Sequence, residues 1–243
     1  MIQAHGDEVA AIVMEPQRGA APEPGFLEGV RAKATEIGAV LVFDEITTGF
    51  RTHLAGIHML HNVEPDIAVF AKALGNGYAM AAVIGTTEVM DAAQSTFISS
   101  TNWTERLGLV AALATLKKLK DSNAHARING VGQQVKSIWK EAAGRNNLSI
   151  HVSGLDCGPH MHFEEDIGNL PLMTLFGQEM LKRGFLAASL FNASLAHSDD
   201  DVAEYGRAVG EVFGILSEAK SEGSVERYLD GPVAQGGFYR FVP

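Results

Sequence analysis

Short apolar runs alternate with helical periodicities through the first half of the chain. Residues 9–14 (VAAIVM) are continuously apolar, too few for a buried helix and of the right length for a buried strand. Pro16, Gly19, Pro22 and Pro24 interrupt the chain behind it. A helix is predicted over about 25–37, with Phe26, Val30 and Ala34 on one face. Residues 39–43 (AVLVF) read as a second buried strand, bounded by Gly38 on one side and by Asp44-Glu45 on the other. Residues 66–71 and 81–85 read as further strands, each beside turn chemistry. This alternation predicts an α/β architecture with a mostly parallel sheet.

A long helix is predicted next, in which Leu107, Val110, Ala111 and Ala114 share a face, with Lys117, Lys118 and Lys120 near the negative end of its dipole. Asp121, Ser122 and Asn123 offer an N-cap to another helix reaching about Ala143, which Gly144, Asn146 and Asn147 end. Beyond Leu148 the pattern shifts to shorter strands and two helices. One carries Leu172, Leu175, Phe176 and Met180. The other carries Val202, Tyr205, Val209, Val212 and Leu216, with Asp199, Asp200 and Asp201 in its first turn. The expected organisation is a first domain over 1–124, then a connecting helix and a smaller α+β domain over 125–243.

Composition narrows the functional classes. A chain of 243 residues can bury a sizeable core, and its single cysteine, Cys157, excludes a disulfide scaffold. Nineteen Lys and Arg against 29 Asp and Glu give a formal charge of −10, which argues against nucleic acid or anionic membrane as the main partner. No apolar run approaches the roughly 18–20 residues of a membrane span, and no secretory signal is visible, so the cytoplasm is the expected compartment. No HExxH, CxxC, GxxxxGK[ST] or strand-linked GxGxxG is present, so neither a metal site nor a nucleotide site is expected.

Three segments could carry chemistry. Asp44-Glu45 ends a buried strand, where ligands bind in open parallel sheets, and a carboxylate there needs a cationic or protonated partner. The plainer reading is a pair of turn or capping acids. Lys72 sits in VFAKALGNG between apolar residues and ahead of a glycine-rich turn. A partly desolvated lysine is a nucleophilic amine suited to imine formation, whereas most lysines extend into solvent. The loop Ser99-Ser100-Thr101-Asn102-Trp103-Thr104 enters the long helix; hydroxyls at a helix start bind phosphate, though an ordinary N-cap explains them equally well locally.

Taken in order, VMEPQRG, LVFDEITTGFR, the Pro65-Asp66 pair, AKALGNG and the Ser/Thr loop resemble the class III (subgroup II) aminotransferases, pyridoxal-phosphate enzymes of fold type I that include glutamate-1-semialdehyde aminomutase. The resemblance covers most of the first 120 residues, and more loosely the segment Phe191-Asn192-Ala193-Ser194 before His197. It implies part of the large-domain, mostly parallel sheet followed by a C-terminal α+β small domain. It also implies pyridoxal 5′-phosphate as cofactor, with Lys72 forming the internal aldimine and moving the proton of the 1,3-shift, and Asp44 facing the pyridine nitrogen. Ile46 would pack on a ring face, and Glu15 would lie in the surrounding hydrogen-bond network. Thr47 stands where many relatives carry glutamine, beside the ring hydroxyl. Thr101, flanked by Ser99, Ser100 and Thr104, would reach the phosphate of a cofactor held mainly by a neighbouring subunit. The resemblance therefore implies a homodimer with shared sites, and Arg51 is read as structural.

The family's members are far longer, and the chain reads as the C-terminal part of such an enzyme, without the glycine/serine-rich phosphate loop and the ring-stacking aromatic. Impaired activity of the isolated chain is expected on that ground. The leading expectation is transamination between an amino acid or amine and a carbonyl compound. The aminomutase reaction is the runner-up, a non-catalytic dimerisation remnant is a second class, and an unrelated α/β binding protein is a third.

Overall fold

Three parallel strands end side by side at the edge where the candidate residues fall. β1 (Ala11–Met14), β2 (Val40–Asp44) and β3 (Ile67–Phe70) pair in that order, and β4 (Ala82–Gly85) joins β3 antiparallel. The computed structural model describes residues 5–237, and the chain divides into two compact units, 1–127 and 128–243.

In the first unit β2 supplies the alternation that makes a core. Leu41 and Phe43 are fully buried on one face. They pack with Val63 and with Leu27 and Ala34 of α1 (Phe26–Ile37). Gly38 ends α1 in the left-handed region, φ +71°, where its N–H bonds the carbonyls of Ala34 and Thr35. The expected face of α1 is displaced by one position. Leu27, Val30 and Ala34 make the inward stripe, while Phe26 is half exposed. β1 differs from the buried strand its composition suggests. It is an edge strand on which Ile12 and Met14 pack inward and Val13 faces out.

The helix predicted after residue 100 is α4 (Arg106–Ser122), following the short α2 (His58–His61) and α3 (Thr87–Asp91). Its buried residues are Gly108, Ala112 and Leu119, whereas Leu107, Val110 and Leu113 are exposed. Close approach explains the reversal. A Cβ on Gly108 would overlap the Ala79 carbonyl oxygen, so the inward stripe takes small residues and the large apolar ones fall outside it. The chain then turns at Asn123, which ends α4 in the left-handed region (φ 48°), and α5 (Ala124–Arg145) follows. The three polar residues foreseen as an N-cap thus lie in the last turn and C-cap of the preceding helix.

The second unit packs α5, α6 (Asn169–Lys182) and α7 (Asp199–Ser221) with a hairpin of β5 (Ile150–Leu155) and β6 (Gly158–Phe163). Trp139, Phe163, Phe176, Val209 and Phe213 are fully buried in its core. The Trp139 indole N–H donates to the Tyr205 hydroxyl at 2.9 Å, which satisfies two polar groups inside the apolar core. Ser198 and Asp201 form a reciprocal capping box at the start of α7.

Candidate active site

Sheet register brings the chemistry-bearing residues to one edge. Met14 pairs with Phe43 and Asp44 with Val69, so Glu15, Asp44-Glu45 and Ala71-Lys72 all emerge at the carboxyl ends of adjacent parallel strands. That edge is where open parallel sheets place ligands. The period-2 geometry of β2 then splits the acidic pair. Glu45 continues the inward series Leu41, Phe43 and is fully buried, while Asp44 falls on the other face, half-buried.

Asp44 accepts the Ile46 N–H on Oδ1 at 2.9 Å. Among the described residues no cation pairs with it. Lys72 opens a short 3₁₀ turn (Lys72–Leu74) directly after β3 and is held at φ 46°, a left-handed conformation that is uncommon for a lysine and costs it energy. Its Nζ donates to the Thr47 hydroxyl at 2.8 Å. Sequence composition suggests an apolar seat for this lysine, but the side chain is exposed. The apolar neighbours Phe70 and Leu74 instead turn into a core with Ala68 and Ala112. What marks Lys72 out is therefore its backbone strain and its neutral hydroxyl partner, not desolvation.

Glu45 is the structural hub that reading by residue type passes over. Its Oε2 accepts the Thr48 hydroxyl and, at 2.9 Å, the Ile57 N–H. Its Oε1 accepts the His58 N–H at 2.9 Å and His58 Nδ1 at 2.7 Å. Because a carboxylate only accepts, Nδ1 is the protonated ring nitrogen. Burial pushes this carboxyl up, but the His58 ring, Thr48 and the two backbone donors together pull it below its ordinary 4.5. Gly56 leaves the room for this cluster, since a Cβ there would meet Glu45 Oε1 at 2.5 Å and collide with His58 Nδ1. The sequence signal was present: an acid at the next inward position of a strand, with a hydroxyl, Thr48, three residues on.

The remaining candidates are brought in unequally. Ile46, half-buried, bonds its N–H to Asp44. Glu15 lies 3.8 Å from Arg18 as an ion pair and is about one-third exposed. Thr101 stands in an exposed turn, and none of the described hydrogen bonds joins it to Asp44 or Lys72. The expected hydroxyl cap of α4 is replaced by Glu105, whose carboxylate accepts the Leu107 N–H at 2.8 Å. No cluster of His, Cys, Asp and Glu fit for a metal ion exists among the described residues, and no described helix is long and apolar enough to cross a membrane.

The carboxyl edge of this parallel-dominated sheet thus carries an amine and a carboxylate that no described cation pairs with. Solved structures share the architecture. The PLP internal aldimine form of the Sphingopyxis sp. MTA144 FumI protein superposes with a TM-score of 0.84 at 24% identity, over 90% of this chain and 55% of that one. An omega-transaminase from Sphaerobacter thermophilus gives 0.78 at 24% identity, over 88% and 54%. At such identities the likeness establishes the fold. A family model described as aminotransferase class-III matches residues 1–166. The 3-aminobutyryl-CoA aminotransferase of Cloacimonas acidaminovorans (strain Evry) is 30% identical over 222 residues, which is 87% of this chain and 54% of that protein. The chain belongs to the class-III aminotransferases. It spans about half the length of these relatives. Pyridoxal 5′-phosphate is the cofactor to which the family and the matched structures point. The donor set agrees with it: a carboxylate without a cation suits a protonated ring nitrogen, and an amine on a neutral hydroxyl suits a carbonyl carbon.

Proposed function

We propose that this chain carries the cofactor lysine and the ring-facing acid of a transaminase that moves an amino group between an amino acid or amine and a carbonyl compound. The observation that carries the reading is the pairing of Asp44, half-buried with no cation, with Lys72, strained and hydroxyl-bound, at one edge of the sheet. When bound, pyridoxal phosphate supplies an aldehyde and a ring able to accept electrons. Lys72 Nζ would hold the cofactor and would move a proton at the substrate carbon that bears nitrogen. Asp44 holds a proton at the ring nitrogen. Ile46 packs a ring face, Thr47 orients Nζ, and Glu15 belongs to the surrounding hydrogen-bond network. Thr101 serves the phosphate of a cofactor in a neighbouring subunit.

A cytoplasmic homodimer with shared sites is part of this reading. The exposed Leu107, Val110 and Leu113 of α4 support it, as an apolar face that a second chain would cover. Residues 1–124 then represent part of the cofactor-binding large domain, and 125–243 the connecting helix and small domain. The DEITTGFR segment favours a glutamate-1-semialdehyde aminomutase-type isomerisation as the second reading.

Borohydride reduction of the chain with pyridoxal phosphate, followed by peptide mass spectrometry, tests the assignment. The label is expected on Lys72 in the wild type and absent from that peptide in Lys72→Ala. Asp44→Asn should still be labelled but lose amino-group transfer. A label spread over surface lysines, with Lys72 not preferred, would refute the reading.

A further inference from the structure

The contacts of Glu45 tie both ends of one loop to a single buried carboxylate. Thr48 holds it at the start of the loop, and Ile57 and His58 hold it at the end. Between these ties the chain passes Phe50, a bulky aromatic kept at φ 60°, whose ring packs on Phe70 with centroids 5.0 Å apart. Such a conformation persists only where the surroundings over-determine it. Thr47 is the residue next to Thr48, and its hydroxyl is the partner of Lys72 Nζ at 2.8 Å.

We propose that His58, acting through Glu45, is a positioning residue for Lys72: it fixes the start of loop 46–57 so that the Thr47 hydroxyl orients the amine. The chemical consequence rests on the reading of Lys72 as the cofactor lysine. The chain of contacts from His58 Nδ1 to Glu45, to Thr48 and Thr47, and on to Nζ does not. Removing the His58 ring leaves a fully buried carboxylate short of one donor. A buried charge so deprived recruits water or takes up a proton, and either change disturbs its bond to Thr48. The His58 ring is only 11% exposed, and it lines a groove of about 530 Å³ with Glu28, Arg31, Asn62 and Glu64. Its Nδ1 is committed to Glu45 at 2.7 Å, and the proposed role runs through that bond.

The test follows two reactivities of Lys72, each read at that peptide by mass spectrometry. One is acylation of the cofactor-free chain by limiting acetic anhydride, and the other is borohydride-fixed capture of pyridoxal phosphate. In His58→Ala the amine is expected to acylate about three- to tenfold faster and to capture the cofactor slower by a similar factor, the range that one hydrogen bond commands. His58→Asn, whose side-chain amide can donate from nearly the position of Nδ1, should keep both rates within about twofold of wild type. In a Thr47→Val background, which breaks the last link, His58→Ala should add nothing. Should His58→Ala fail to fold, Thr48→Val cuts the same route from the loop side and is read in the same way. A folded variant with both rates unchanged, or full effects persisting beside Thr47→Val, overturns the proposal. If the wild type fails to fix the cofactor at Lys72, the transaminase reading falls, while the acylation arm still decides whether His58 positions the amine.

Discussion

Gly56→Ala is the most local perturbation of the loop behind the site. The added methyl would stand 2.5 Å from Glu45 Oε1 and overlap the His58 ring at Nδ1 and Cε1. These atoms are not the free ends of flexible chains, because Glu45 is fully buried and both are bonded to each other at 2.7 Å. Overpacking of a filled site costs ~1–3 kcal/mol. Forcing the pair apart loses at least one hydrogen bond to a charged group, worth ~1.5–3 kcal/mol. The sum is about 2.5–6 kcal/mol of local stability, or roughly a hundredfold or more in the opening equilibrium. The Ile57 and His58 amides report it directly, since both donate to Glu45. Hydrogen exchange at these two positions should accelerate by about two orders of magnitude. Gly29→Ala in α1, where nothing lies within 4 Å of the new Cβ, should instead stabilise by up to ~1 kcal/mol. Equal protection of Ile57 and His58 in Gly56→Ala and wild type would show that the cluster is looser than its geometry implies.

Two other predictions follow from the same kind of bookkeeping. The Glu45 carboxyl is held below its ordinary 4.5, so the folded chain binds this proton more weakly than the unfolded one. Its contribution is complete above 4.5 and fades as pH falls through the lower folded value. Glu45→Gln should therefore be less stable at neutral pH and show a flatter acid limb in urea midpoints; parallel limbs for the two proteins would refute this. In α5, a Cβ on Gly132 would overlap the Asp156 carbonyl oxygen, while one on Gly130 meets nothing within 4 Å. Gly132→Ala should lower the unfolding free energy, read by urea titration of the buried Trp139, by ~1–3 kcal/mol or more, and Gly130→Ala should raise it by up to ~1 kcal/mol.

Much of the fold was written in local pattern. Runs of β-branched and apolar residues bounded by Gly38 or by Asp44 could only be strands, and every strand expected in the first half is present within about two residues of its bounds. The inward stripes were less legible. In α4 the largest apolar residues looked like the core face, but backbone approach at Ala79 selected Gly108 and Ala112 instead. Periodicity reports which residues avoid water and not which neighbour comes within reach.

At the site, the sequence by itself determined an acid pair after one strand, a lysine after another, and an ordered set of motifs specific to one family. Tertiary structure decided the division of labour. Parallel register set Asp44 and Lys72 at one edge, and the two-residue repeat of β2 sent Asp44 to the open face and Glu45 inward. Packing turned the apolar neighbours of Lys72 away from it and left its amine on the Thr47 hydroxyl. It also supplied His58, thirteen residues along the chain from Glu45, as one of the donors that favour the charged form of a buried carboxylate. Local chemistry names the groups, but only pairing and burial determine which stays open to solvent and which holds the others in place.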